Sequence, residues 1–288
     1  MCDWCYLHTG RPWYLDKRFH DVKNAPGWLQ MVANFMAGPL GSFVEDSTKA
    51  LEKKVKPYNA LQRVVYEFVS RDILGAQVVA GLDEALQIVD TANDVFLHRC
   101  NCMRGINPEH PEVQRCIFLN HAATYTRKNR PEVGTPHDPA TGKFVDPEVA
   151  KEIIKRERQE GHFTQVMYSP RPYVDCICNC DQWCGRWKVP ELPWANTPSF
   201  KMASPYKADE CNYRTDECDK CTNGCYAHAI SVYEDREGHH VDVDQEKCIG
   251  CGLCVEKCPE GVFKLEPRKK IWDPVVLKVI EQNLYKEN

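Results

Sequence analysis

The spacing of apolar residues predicts helices along much of the N-terminal part of the chain. Apolar positions recur every three to four residues over 82–95, which is the period of an amphipathic helix. The segment 147–159 has the composition of a charged surface helix. Ser47 suits the N-cap of a helix over 48–55, and Pro57 suits the first turn of another helix over 57–68. This part of the chain is therefore predicted to be mainly helical, with loops between the helices.

Strict alternation of apolar and polar residues is found closer to the C-terminus. The segments 229–233 and 240–243 alternate around a turn that contains Gly238, which is typical of a β-hairpin. Prolines and glycines accumulate over 124–141 and 188–205, which predicts a loop in the first case and a linker in the second. Helices upstream and a hairpin downstream together predict an α+β protein.

These patterns divide the chain into three parts. We expect a cysteine-rich, mainly α domain over 1–204, a small α+β module over 205–268 and a C-terminal helix over 269–288. The length of 288 residues agrees with this division, because domains have about 150 residues on average.

Charge and hydropathy exclude several classes of partner. The chain has 37 Lys and Arg against 41 Asp and Glu, and this balance argues against binding to nucleic acid through phosphate neutralisation. No run of apolar residues is long enough to span a membrane, since such a helix needs about 20 of them. The N-terminal residues have neither a basic leader nor an apolar stretch. We therefore expect a cytoplasmic protein.

The chain contains 17 cysteines, an unusual number for a protein of this composition. A disulfide framework is typical of shorter, secreted chains. In a reducing compartment, cysteines that follow one another at short spacings mostly bind metal. The cysteines therefore predict one or more metal centres.

The clearest motif has the spacing C-x2-C-x2-C-x3-C-P. It consists of Cys248, Cys251, Cys254, Cys258 and Pro259. The glycines between the first three cysteines allow the sharp bend that brings three thiolates to one cluster, and they let backbone N–H groups approach the cluster sulfurs. This spacing is typical of bacterial ferredoxins.

An imperfect copy of the motif lies upstream and consists of Cys211, Cys218, Cys221 and Cys225. Its first gap has six residues instead of two, and Tyr226 stands where the motif has proline. C-x2-C pairs also suit tetrahedral zinc, so a pair of zinc knuckles is the alternative, although evenly stepped cysteines followed by proline are poor zinc spacing.

The region 205–267 resembles the dicluster ferredoxin fold, in which two similar halves each hold a [4Fe–4S] cluster. The resemblance implies that each cluster takes its fourth ligand from the other half of the module. One cluster is then held by Cys248, Cys251, Cys254 and Cys225. The other is held by Cys211, Cys218, Cys221 and Cys258. The longer first gap puts Cys211 in question as a ligand.

A second group of cysteines lies in the N-terminal part. Cys-Asn-Cys occurs twice, each time downstream of a Gln-Val segment, and an extended chain places both thiols of such a pair on one face. We expect a third metal centre here, iron–sulfur or zinc, with Cys178, Cys180 and Cys184 as the first candidates and Cys100, Cys102 and Cys116 next. Cys176 is the least favoured ligand. The alternative is that these cysteines are buried thiols that pack as small apolar residues.

Several elements together resemble a family of [4Fe–4S] dicluster proteins from anaerobic bacteria and archaea. They are the opening Cys2-Asp-Trp-Cys5, Trp13-Tyr14-Leu15, the two Cys-Asn-Cys elements and the C-terminal module. The resemblance implies electron transfer and adds little about substrate.

We therefore expect an iron–sulfur electron-transfer protein, or the electron-transfer subunit of an oxidoreductase complex, with a redox protein as its partner. The sequence leaves a second function open, because the N-terminal cysteines could hold a catalytic metal, with open coordination, for an oxidoreductase or lyase reaction. Motifs for nucleotide binding or for a serine nucleophile are not found in the sequence.

Overall fold

The computed structural model describes residues 15, 22–35, 77–98, 115–129, 142–168, 173–181, 196–197, 199, 201–213, 218–236 and 238–268. The predicted helices over 48–55, 57–68 and 269–288 lie outside the described residues.

The described part of the N-terminal region contains four helices and seven strands. In chain order they are α1 (Gly27–Phe35), β1 (Gln77–Ala80), α2 (Leu82–Asp90), β2 (Val95–His98), β3 (Cys116–Leu119), α3 (Asn120–Asn129), β4 (Gly142–Phe144), α4 (Pro147–Gln159), β5 (Phe163–Tyr168), β6 (Val174–Cys180) and β7 (Asn196–Thr197). The strands form one sheet in the order β4-β2-β3-β6-β5-β1-β7.

The sheet is built from two similar strand–helix–strand–strand units, β1-α2-β2-β3 and β4-α4-β5-β6. Their last strands pair in the centre, where Ile117 lies opposite Ile177. The first strand of each unit pairs antiparallel with the second strand of the other, β1 with β5 and β4 with β2. The two Gln-Val segments of the sequence are β1 and part of β5, and they pair with each other.

One face of the sheet is covered by helices α2 and α4. Ile88 of α2 and Ile154 of α4 are buried there. They belong to the same hydrophobic core as Ile117 of β3 and Ile177 of β6. The other face carries cysteines and aromatic residues and packs against the C-terminal module. Burying both faces of the sheet stabilises it, because apolar surface is removed from water on each side.

The prediction of a mainly helical N-terminal domain is not confirmed, because a seven-stranded sheet is the central layer of its described residues. Val95, Phe96 and Leu97 of β2 are all buried, so the strand has no polar face and no period of two. Such a short apolar run cannot be told from helix by its periodicity. The helix predicted over 82–95 therefore ends at Asp90, and its last predicted residue opens β2.

Other element predictions have mixed outcomes. The helix Pro147–Gln159 is confirmed, with Asp146 as its N-cap. However, this helix is not simply a charged surface helix, because Glu157 and Arg158 in its last turn are buried. The predicted loop over 124–141 begins inside α3, which ends at Asn129. The predicted linker over 188–205 ends in a strand.

The C-terminal module contains four more strands and two short helices. They are β8 (Lys201–Pro205), α5 (Lys220–Asn223), β9 (Ile230–Asp235), β10 (Gly238–Val243), α6 (Leu253–Lys257) and β11 (Phe263–Pro267). β9 and β10 form the predicted hairpin. β8 pairs antiparallel with β11, so a strand within the predicted linker is part of the sheet structure of the module.

Candidate iron–sulfur site

Four of the predicted cluster ligands lie around one cavity of the C-terminal module. We call them the cavity set: Cys225, Cys248, Cys251 and Cys254. The other walls of this cavity are mostly glycine and apolar side chains. These four cysteines come from both copies of the motif. The structure thus brings together the cysteines of two loops that are separated by the β9–β10 hairpin in the sequence.

The loop between the first three cysteines of the second motif closely approaches β8. Gly250 has φ +71°, and a Cβ atom built on it would lie 2.0 Å from the Lys201 carbonyl oxygen. Gly252 has φ +81°. Both positions therefore require glycine, as the sequence predicted, and the space beside Gly250 is already filled by backbone.

The remaining cysteines of the module form a second group, the companion set: Cys211, Cys218, Cys221 and Cys258. Burial and the neighbouring Cys211, Cys258 and Cys218 together raise the pKa of the Cys221 thiol to about 11. Cys211, Cys221 and Cys258 also pack in one hydrophobic cluster of the module, so the longer gap does not separate Cys211 from the others. The residues 214–217 between Cys211 and Cys218 lie outside the described part of the chain.

The last cysteine of each motif accepts a backbone hydrogen bond from the residue four positions later. Ala229 N donates to Cys225 Sγ at 3.3 Å, and Val262 N donates to Cys258 Sγ at 3.4 Å. The two halves of the module thus orient this cysteine in the same way. An N–H donor also stabilises negative charge on the sulfur once the thiol is deprotonated.

Two thiols of the cavity set, Cys251 and Cys254, stay protonated at neutral pH without metal because their pKa values are raised. Burial raises the pKa of Cys251 to about 11. Burial and the neighbouring cysteines raise the pKa of Cys254 by more than that of Cys251. A metal that binds here must therefore displace protons. Four thiols that converge on a buried cavity, with glycine walls and a backbone N–H donor, fit an iron–sulfur cluster.

A buried arginine joins the N-terminal sheet domain to the loop of the cavity set. Arg158, near the end of α4, is 1% exposed. Its Nη2 donates to the Cys251 carbonyl oxygen at 2.6 Å, and its Nε donates to Glu256 Oε2 at 2.8 Å. Its Nη1 donates to Thr164 Oγ1 on β5 at 3.2 Å. One guanidinium group therefore links the sheet, the cluster loop and α6.

A second arginine contacts the same loop from the end of β11. Arg268 donates to three backbone carbonyl oxygens, at 2.6 Å to Ser199 and 3.0 Å to Gln245, and to Cys248. Burial lowers the pKa of this guanidinium, and the neighbouring Cys248 opposes the effect. Two ligand candidates of the cavity set thus have an arginine on their carbonyl oxygen.

Tyr226 is the residue that replaces the expected proline, and it contacts the N-terminal domain. Its hydroxyl donates to the Gly161 carbonyl oxygen at 2.8 Å, and its ring lies 5.9 Å from that of Phe163. Burial raises the pKa of Tyr226. The departure from the motif therefore coincides with a contact between the two parts of the chain.

A buried ion-pair network lies beside this contact. Glu157 Oε2 is 3.0 Å from Arg115 Nε and 2.9 Å from His162 Nδ1. Arg115 also pairs with Asp181, which follows β6, at 2.9 Å. Burial acts to raise the pKa of Glu157, but the contacts with His162 and arginine hold it below its ordinary value. Because Arg115 already neutralises Glu157, we interpret this grouping as structural rather than as a metal site.

The N-terminal cysteines that the structure describes lie on the module-facing side of the sheet. We call this group the thiol face: Cys116, Cys176, Cys178 and Cys180, all buried. Cys178 Sγ lies 3.6 Å from Cys176 Sγ, 3.7 Å from Cys116 Sγ and 3.3 Å from Met167 Sδ. Cys180 contacts Gln165. The face packs against Leu253, beside Cys251 of the cavity set.

The predicted ligands of the third centre are thus only partly brought together. Cys178, Cys180 and Cys116 share the thiol face, whereas Cys100, Cys102 and Cys184 lie outside the described residues. Cys176, which the sequence ranks last, lies on the same face and contacts Cys178. Alternation along β6 could have identified it, because residues two apart on a strand share a face.

No pattern in the sequence marks Arg158 and Arg268 as parts of the site. Arg158 belongs to a segment whose charged composition predicts a surface helix, and Arg268 follows the last cysteine by ten residues. No motif includes either residue. Their contacts depend on how α4 and β11 pack against the cluster loop, which the sequence does not state.

Comparison with known proteins agrees with this geometry. Residues 214–262 match the family described as 4Fe-4S dicluster domain. A stretch of 34 residues is 50% identical to Ferredoxin-2 of Desulfomicrobium norvegicum (strain DSM 1741 / NCIMB 8310), covering 12% of this chain and 58% of that protein. Another of 50 residues is 40% identical to "Putative electron transport protein YsaA" of Escherichia coli (strain K12), covering 17% of this chain and 29% of that protein.

The chain thus spans less than two thirds of the length of these curated relatives. No solved structure matches the chain. The comparisons nevertheless identify the C-terminal module as an iron–sulfur domain of the ferredoxin type, which confirms the resemblance for this region. They support a role in iron–sulfur electron transfer.

Within the part of the chain that the structure describes, no helix combines the length and the apolar character that crossing a bilayer requires.

Proposed function

We propose that this protein transfers single electrons through two [4Fe–4S] clusters to a redox partner, as a separate carrier or as a subunit of an oxidoreductase complex. The cavity set holds one cluster and the companion set holds the other. The observation that carries this proposal is the convergence of four thiols, from both copies of the motif, on one cavity. The clusters supply reversible one-electron chemistry. The chain supplies thiolates, backbone N–H groups and a buried environment.

The proposal is tested on full-length protein purified without oxygen. We expect about eight iron and about eight sulfide per chain, because each cluster has four of each. Stepwise reduction with dithionite should give two paramagnetic species by EPR, broadened by their mutual interaction. Protein with zinc in place of iron, or with no metal after anaerobic purification, would overturn the proposal.

We also propose that the thiol face belongs to a third metal centre. The support is the burial of its cysteines and the sulfur–sulfur distances of 3.6 Å and 3.7 Å around Cys178. Thiolates that share one tetrahedral ion at about 2.3 Å lie about 3.8 Å apart. We therefore propose a single ion, zinc or iron, that binds Cys178 together with one neighbour, because the sulfur atoms of Cys116, Cys176 and Cys178 do not all lie close enough to one another to share an ion. An iron ion with an open coordination position would favour the enzymatic alternative, in which the module supplies electrons to a catalytic centre.

The Cys178→Ala variant tests this centre by metal analysis. We expect wild-type protein to contain about one metal ion per chain beyond the cluster iron, and the variant to lose it while both ferredoxin signals stay unchanged. Ile177→Val is the matched control, since Ile177 neighbours Cys178 on the same strand but packs on the helix-covered face. A wild-type chain whose metal is fully accounted for by eight iron would contradict the third centre.

A further inference from the structure

The two cysteine sets differ in their charged surroundings. The carbonyl oxygens of two members of the cavity set, Cys251 and Cys248, each accept a hydrogen bond from an arginine. In the described part of the chain, no such arginine contact falls on a member of the companion set. Within its described residues the module is therefore electrostatically asymmetric, although its motifs are near copies.

The first of these arginines comes from outside the module. Arg158 belongs to the sheet domain, is 1% exposed, and reaches the loop through the Cys251 carbonyl. Glu256 pairs with its guanidinium but is itself partly exposed, with a side chain 30% accessible. Solvent weakens the field of the carboxylate more than that of the buried guanidinium. A net positive field therefore remains at the cavity.

The second arginine has no carboxylate among its hydrogen-bond partners. Arg268 donates only to the carbonyl oxygens of Ser199, Gln245 and Cys248 in the described structure. Among the residues that the structure describes, backbone dipoles are therefore what balances its charge. A positive charge in a buried position stabilises any additional negative charge nearby, because the effective dielectric constant is lower than in water.

We propose that Arg158 and Arg268 make the cluster of the cavity set the more easily reduced of the two, so that electrons collect next to the N-terminal domain. This inference rests on the proposed function. Reduction adds one electron, and therefore one negative charge, to a cluster, without bond changes in the protein. The reduced state is stabilised by nearby positive charge and by hydrogen bonding, so the potential of this cluster rises relative to its neighbour.

The position of the cavity set gives this difference a direction. The loop of Cys251 packs, together with Leu253, against the thiol face of the N-terminal sheet. An electron that enters through the companion set therefore moves toward the N-terminal domain. In this arrangement the sheet domain helps to set the reduction potential of the cluster beside it, because Arg158 is one of its own residues.

The test is an EPR-monitored dithionite titration of full-length, cluster-loaded protein. We expect two reduction steps in the wild type. Arg158→Gln and Arg268→Gln should each move one step, and the same step, to a more negative potential. In a Cys221→Ala background, which keeps only the cluster of the cavity set, the shift should persist. This background assigns the step to that cluster.

Removing the partner carboxylate gives the opposite expectation. Glu256→Gln leaves the Arg158 charge unneutralised, so the same step should move to a more positive potential. Opposite shifts for Arg158→Gln and Glu256→Gln identify an electrostatic effect, because loss of packing would move both variants in one direction. If Arg158→Gln does not fold, Arg268→Gln and Glu256→Gln still distinguish an electrostatic effect from a loss of packing.

Matched controls are Lys155→Gln on α4 and Lys264→Gln on β11. Each removes one positive charge close in sequence to one of the arginines, and each lysine pairs instead with a nearby glutamate, Glu152 or Glu266. Neither should move a potential. Two intact clusters with unshifted potentials in the arginine variants, or shifts of equal sign in Arg158→Gln and Glu256→Gln, would overturn this inference alone. A wild-type chain without clusters would overturn the proposed function itself.

Discussion

Replacing Cys254 by alanine is expected to remove one cluster and leave the other in place. Cys254 belongs to the cavity set and lies with three other thiols around one buried space. Without it, that cluster keeps only three protein ligands in a site built for four. The iron content of anaerobically purified protein should fall from about eight to about four per chain. The EPR spectrum should change from two interacting species to a single, narrower one.

The companion variant Cys258→Ala tests the crosswise arrangement of the ligands. Although Cys258 belongs to the same motif as Cys254, its thiol lies with Cys221. Cys258→Ala and Cys221→Ala should therefore leave the same remaining spectrum, different from that of Cys254→Ala. If Cys254→Ala and Cys258→Ala leave identical spectra, each motif holds its own cluster and the assignment of ligands is wrong.

Replacing Gly250 by alanine is expected to destabilise the cluster loop strongly. The new Cβ atom would lie 2.0 Å from the Lys201 carbonyl oxygen and 2.8 Å from Ser199 Cβ, so the loop would have to move away from β8. The left-handed conformation costs a non-glycine residue about 1–2 kcal/mol, and overpacking adds about 1–3 kcal/mol. Anaerobic urea unfolding, followed by the visible absorption of the clusters, should show a clearly lower midpoint.

Gly261→Ala is the matched control for this prediction. Gly261 also has a positive φ, +61°, but a Cβ atom there would have no other heavy atom within 4 Å. The control therefore carries only the conformational part of the cost, about 1–2 kcal/mol. Equal midpoints for Gly250→Ala and Gly261→Ala would mean that the close approach to β8 does not constrain the loop.

Local patterns carried most of the correct sequence predictions. The hairpin of β9 and β10 follows from alternation over a few residues around a glycine turn. The helix Pro147–Gln159 follows from the charged composition of one continuous segment. The spacing of the cysteines is local in the same sense, since a tight loop must place three thiols around one cluster. In each case the cause lies within one short segment.

The N-terminal sheet was missed because its stability is not local. Its central pair joins Ile117 to Ile177, 60 residues apart in the sequence, and the short strands on either side are covered on both faces. Full burial removes the alternation that identifies a strand. The first strand of each unit pairs with a strand of the other unit, β1 with β5 and β4 with β2, and the local periodicity of the sequence does not predict such pairing.

Taken alone, the order of residues determined that the C-terminal module has ferredoxin-type cysteine motifs, because ligand spacing and glycine position are properties of a short peptide. Only the tertiary structure decided how the two motifs meet and which charges surround them. Arg158 becomes a neighbour of Cys251 because α4 and the cluster loop are held together by burial and hydrogen bonding across 93 residues of sequence. Such contacts form when distant segments exclude water together, and no single segment contains that information.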